Sequence, residues 1–129
     1  MADLLKFLGR NDKITPEMQD QIVSGVVQRA QTAGTVFTWG EDARMAAALL
    51  SLTNRKDFDG EPFGKWFGAL SAENKALWRS PAIDARAYAS VRVQANILTH
   101  LSAKISSQKE SPVTPAFRSL LGATLLQVD

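Results

Sequence analysis

The sequence predicts an all-α fold, and three observations carry that prediction. Almost every segment repeats apolar residues at helical spacing. Helix-start signals recur, with Thr15, Thr38, Ser71 and Thr114 each placed to cap a following helix. No stretch alternates apolar and polar residues with β-branched enrichment for more than a few positions. Six or seven helices are expected, arranged as antiparallel pairs, either a HEAT-like helical repeat or an irregular bundle.

The elements follow in order. "DLLKFLGR" is a short amphipathic opening. "TPEMQDQIVSGVVQRAQTAG" has Thr15 as N-cap, Pro16 at the first helical position and Glu17 in the first turn. Met18, Ile22, Val26 and Ala30 line one face, and Gly34 suits the stop. A third helix is expected from about Trp39 to Asn54. "GEPFGKWFGAL" reads as a short aromatic-rich fourth helix, and "SAENKALWRS" as a separate one opened by Ser71. The longest runs from about Ile83 to Ser107. "TPAFRSLLGATLLQV" again opens Thr-Pro, at Thr114 and Pro115. The two Thr-Pro helices align: Met18, Ile22, Val26 and Val27 fall opposite Phe117, Leu121, Leu125 and Leu126, the pattern of a weak internal repeat.

Composition bounds the rest. The 129 residues suit one domain, 1–129, with a single core. The chain is 45% hydrophobic and 22% charged, as in ordinary globular proteins. With no cysteine and one histidine, His100, the sequence offers no disulfide, thiolate site or imidazole cluster. No metal or cofactor is expected. No apolar run reaches the roughly 20 residues that span a bilayer, and the N-terminus lacks a secretion signal. A cytoplasmic location without membrane contact is the expectation. Residues 1–61 carry 7 basic and 9 acidic groups and residues 62–129 carry 8 and 4. That asymmetry admits an acidic partner but lacks the Lys/Arg clusters with interleaved aromatics that nucleic acid demands.

The stretch from Thr35 to Leu52, "TVFTWGEDARMAAALLSL", holds the candidate site. Thr38-Trp39-Gly40-Glu41 has the form of a capping box, in which Glu41 would reach back to the Thr38 amide. Asp42 suits the positive end of the helix dipole. Arg44, three residues on, can pair with Glu41. Trp39, Glu41, Asp42 and Arg44, with Trp66, could instead line a pocket or an interaction surface. Glu41 and Asp42 point about 100° apart on a helix, so they do not form a close catalytic pair. On the longest helix, Tyr88, Val91, Ala95, Leu98, Leu101 and Ile105 define an apolar face. Arg86, Arg92, Asn96, His100 and Lys104 define the opposite one, a candidate basic surface. Trp39, Trp66, Trp78, Phe63, Phe67 and Tyr88 are expected in the core, or as an aromatic patch for a partner. "GEPFGKWFG" lacks the lysine spacing of a phosphate loop. "SSQKESP", Ser106 to Pro112, reads as a polar linker.

"VFTWGEDARMAAALLSLTNR", "FGKWFGAL" and "ARAYASVRVQANILTHLSAKI" together resemble the C-terminal half of the DUF2785 family, a group of uncharacterised bacterial α-helical proteins. Glu41, Asp42, Arg44, Trp66, Asn96, Leu98 and Leu101 carry the likeness, over roughly residues 14–128. The resemblance implies HEAT-like helix pairs and no established activity. A His-rich segment of the family's N-terminal part has no counterpart here, which implies a short relative or an isolated half.

Two functions are therefore in play. One is a non-catalytic helical module that binds another protein or itself. The other is a ligand-binding or hydrolytic protein using Glu41, Asp42 and Arg44. A third, nucleic-acid binding through residues 75–109, has less support. The first needs only stacked amphipathic helices, whereas the second needs a nucleophile, metal or cofactor motif that is not found. The terminal helices offer Leu4, Leu5, Phe7 and Leu8 at one end and Leu120, Leu121, Leu125 and Leu126 at the other. Neither resembles a polar cap, so a homodimer through a terminal helix is expected. The alternative is that both terminal helices fold back into one core.

Overall fold

The computed structural model describes residues 2–37, 39–108 and 114–128. Among those residues there are six α-helices and no strand: α1 (Ala2–Gly9), α2 (Pro16–Gln31), α3 (Glu41–Thr53), α4 (Glu61–Arg79), α5 (Ala85–Ser106) and α6 (Pro115–Val128). The all-α expectation holds.

The local signals work where partners lie within one turn. Thr15 Oγ1 accepts from the Met18 amide at 3.3 Å, and Thr114 Oγ1 from the Phe117 amide at 3.4 Å. Each supplies an acceptor to an amide that the helix leaves unpaired. An unanticipated cap starts α5, where Asp84 Oδ1 accepts from the amides of Arg86 (2.7 Å) and Ala87 (3.2 Å). The second helix stops at Gln31, before Gly34, with Thr32 as its C-cap and the Thr32 hydroxyl donating to the Gln28 carbonyl at 2.9 Å.

Two expectations are corrected. The aromatic-rich helix and the one after it are a single helix, α4, and Ser71 lies inside it. The buried residues Phe63, Trp66, Phe67, Leu70, Asn74 and Leu77 form an unbroken stripe at three- and four-residue spacing. Packing that stripe outweighs the few tenths of a kcal/mol by which serine disfavours a helix interior. The long helix α5 is not two-faced through its middle. Val93, Gln94 and Ala95 are consecutive and each 0% exposed. Successive helical residues differ by about 100°, so these three span about 200°, more than half of the way round the axis. Arg92, Asn96 and Lys104, expected on a solvated face, are half-buried.

The reason is the layering. α1 packs on α3 and α3 on α5, while α2 packs on α4 and α4 on α6. α5 also touches α2, α4 and α6, so it is enclosed by four helices. Phe117 anchors α6 in an aromatic cluster, with ring centroids 5.3 Å from Phe58, 5.2 Å from Phe63 and 6.0 Å from Phe67. The last helix thus contributes Phe117, Leu121 and Val128 to the core, whereas α1 buries Gly9 against α3 and, among the described residues, contributes no side chain to the core cluster; Leu4, Phe7, Leu8, Leu120 and Leu126 stay exposed.

Two contacts hold α1 on α3. A Cβ on Gly9 would collide with Ser51 Oγ and sit 3.2 Å from Leu52 Cδ2. Only glycine allows this approach. Arg55, just after α3, donates to the carbonyls of Gly9 (3.0 Å), Asn11 (2.7 Å) and Ile14 (3.0 Å). Its Nε also meets Asp57 Oδ1 at 2.9 Å. The guanidinium fork is the one side chain able to serve so many acceptors at once.

Candidate functional site

The N-terminus of α3 comes first. Gly40 is its N-cap, with φ 78° and ψ 14° in the left-handed region. Thr38, the expected cap, lies outside the described residues. Glu41 is therefore the first helical residue rather than the third. Its Oε2 still reaches back, accepting from the Trp39 amide at 3.1 Å. Asp42 Oδ1 accepts from the Ala43 amide at 2.8 Å. Asp42 Oδ2 lies 3.6 Å from His100 Nε2 on α5, a pairing that no sequence spacing could show. Arg44 is exposed, and among the described residues no ion pair joins it to Glu41.

These groups do not converge with Trp66. That ring is 3% exposed within the core, whereas Trp39 is 82% exposed. Trp39 and Glu41 line a shallow groove of about 300 Å³ with Arg29 and Phe37. The Arg29 guanidinium carbon sits 4.8 Å above the Phe37 ring centre, a cation–π contact. Asp42, Arg44 and Trp66 are not part of that groove.

The four basic residues of α5 occupy different surroundings. Arg86 lines a cleft between α2, α4 and α5. Arg92 lines another groove with Trp78 and Tyr88, and its Nη2 lies 3.4 Å from Asn96 Oδ1. His100 faces Asp42, and Lys104 is half-buried near the end of α5. The aromatics divide likewise. Phe63, Trp66 and Phe67 are core, as expected, but Trp39, Trp78 and Tyr88 are exposed.

Sequence reading missed a fully buried, multiply bonded polar group. Gln94, wholly buried on α5, accepts from Trp66 Nε1 at 2.7 Å. Its amide donates to Glu73 Oε2 and to Ser90 Oγ, each at 3.1 Å. Gln31 Nε2 donates to the other Glu73 oxygen at 3.1 Å. The chain Trp66–Gln94–Glu73–Gln31 links three helices and satisfies every amide it buries. It ends on Glu73 in the cleft that Arg86 also lines, which measures about 820 Å³. Gln94 falls between the two expected faces of α5, and only its burial, not its spacing, marks it. Among the described residues no three His, Cys, Asp or Glu side chains are grouped to hold a metal. The arrangement can bind and orient a ligand; it does not present an activated nucleophile.

A family model described as "Protein of unknown function (DUF2785)" matches residues 1–102. The match takes in α1 and stops within α5, which corrects the expected span of 14–128 and gives no support to a C-terminal-half placement. The core residues Phe117, Leu121 and Val128 of α6 lie beyond it. No curated protein and no solved structure matches the chain.

Proposed function

The chain belongs to the DUF2785 family, whose function is unknown, and on that premise we propose that it is a non-catalytic, HEAT-like helical module that pairs with a second copy of itself. Odd-numbered helices stacking in one layer and even-numbered helices in the other is the packing order of helix-pair repeats. The setting is taken to be the bacterial cytoplasm.

The outer face of α1 carries the proposal. Leu4, Phe7 and Leu8 recur at three- and four-residue spacing and are 60%, 66% and 39% exposed. The same helix is fixed from behind by the close approach at Gly9 and by the Arg55 clamp. A short helix held that firmly with apolar side chains outward is the open end of a stack. An isologous pairing of two α1 helices would cover both faces at once. The patch is small, so the dimer should be weak, with a dissociation constant on the order of micromolar or above. The catalytic alternative gains nothing, since Glu41 is engaged by the Trp39 amide just ahead of its helix and Asp42 faces His100.

Light scattering across micromolar to millimolar concentration tests this reading. A concentration-dependent rise above 14.1 kDa, abolished by Phe7→Glu with an unchanged far-UV spectrum, is expected. A 14.1 kDa species throughout would refute it.

A further inference from the structure

We propose that the cleft between α2, α4 and α5 is a binding site for a small organic monocation, an ammonium or guanidinium group on an apolar body, with Glu73 as its anchor. The cleft holds about 820 Å³, enough for a ligand of metabolite size. Its walls include the apolar side chains of Ala33, Ala76, Leu77, Ala87 and Val91. Glu73 is half-buried within them.

Four observations favour a cation. First, both Glu73 oxygens are held in place, one by Gln94 and one by Gln31, and both donors are neutral amides. A carboxylate offers about four acceptor directions, so two remain for a ligand. Second, among the described residues no cationic side chain forms an ion pair with Glu73. A partly desolvated carboxylate lacking a counter-charge attracts one. Third, α2 and α4 both end at this cleft, with Gln31, Thr32, Leu77 and Ser80 on its lining, while the N-terminus of α5, which also lines it, is already answered by the Asp84 carboxylate. Helix C-termini bring negative partial charge. Fourth, the position of Glu73 is set by a fully buried glutamine that is itself held by the Trp66 indole, so the carboxylate is fixed before a ligand arrives.

Two other charges line the cleft. Asp84 is committed to capping α5 through the amides of Arg86 and Ala87. Arg86 is exposed and positive, and it disfavours a second cationic group on the ligand. The combination selects a single positive charge with an apolar remainder. The site is independent of the α1 face, so one proposal can fail without the other.

The test is a titration of the ¹⁵N-labelled protein with n-hexylammonium, with hexanoate as the matched anion. Saturable shifts of the Trp66 indole and of the Gln31 and Gln94 side-chain amides are expected with hexylammonium and not with hexanoate. Glu73→Gln should weaken binding at least tenfold. Ala87→Phe, which fills the cleft without touching the network, should do so while leaving the fold intact. Equal shifts with both probes, no saturable shift with hexylammonium, or unchanged affinity in both variants would overturn the proposal.

Discussion

Replacing Arg55 with alanine tests how α1 is held. The guanidinium spans three backbone carbonyls, of Gly9, Asn11 and Ile14, between 2.7 and 3.0 Å away. The side chain is 11% exposed, so water does not readily take over these acceptors. The Asn11 carbonyl keeps a second donor, the Ile14 amide at 3.1 Å, and loses little. The other two carbonyls each lose a charged donor, at about 1–1.5 kcal/mol apiece. Lost packing of the stem adds about 1 kcal/mol. Arg55→Ala should therefore cost about 3–4 kcal/mol. Arg55→Lys keeps the charge but not the fork, and should cost about half as much. Urea titration gives both values. Trypsin cleavage after Lys6, Arg10 and Lys13 should accelerate, because the segment before α2 opens locally first. An alanine variant within about 0.5 kcal/mol of the parent, with unchanged cleavage, would refute the clamp.

Gly9→Ala should destabilise by about 1–3 kcal/mol through collision with Ser51. Adding Ser51→Ala should recover part of that, and strict additivity in thermal unfolding would remove the steric explanation. The Arg55 hydrogen bond, helped by the Arg55 charge and the Gln19 amide, holds the Asp57 carboxyl below its ordinary value of 3.8, although some desolvation opposes the shift. The folded state thus binds this proton less readily than the unfolded one. The associated stability is complete above the ordinary value and is lost as pH falls beneath it. Asp57→Asn should flatten that acid limb of a stability–pH profile, and an unaltered limb would contradict the assignment. The Asp42–His100 pair is half-exposed on the histidine side. His100→Ala should change stability by no more than about 0.5 kcal/mol at pH 7, and a loss above about 1 kcal/mol in urea titration would show the pair to be structural.

What could be read from the sequence was what is decided within one or two turns. Thr15 and Thr114 cap their helices because donor and acceptor sit three residues apart. The Glu41 carboxylate does reach back along the chain, but to the Trp39 amide ahead of the N-cap Gly40, so it caps no helical amide. Ser71 misled because a serine that can cap can equally lie within a helix, and the choice falls to Leu70, Asn74 and Leu77 packing beyond it. The distant partners of Arg55, Gln94 and His100 lie 21 to 58 residues away in the chain. No periodicity encodes them. The enclosure of α5 was hidden likewise, since Val93-Gln94-Ala95 reads as an interrupted apolar face until four neighbours are in place.

The central position of α5 also sets a timetable for the chain on the ribosome. Helices α1 to α4 are complete by Arg79, but α3 and α4 do not touch each other and each packs on α5. A nascent chain paused before Ala85 holds α3 and α4 without the central helix on which both pack. At about 5–20 residues per second, the 22 residues of α5 take roughly one to four seconds to make. For that interval the inner face of α3 and the Trp66 indole of α4 await α5, which packs on the first and supplies Gln94 to the second. Stalled chains ending near residue 84 should be captured by chaperones, and chains ending past Ser106, once clear of the exit tunnel, should be released.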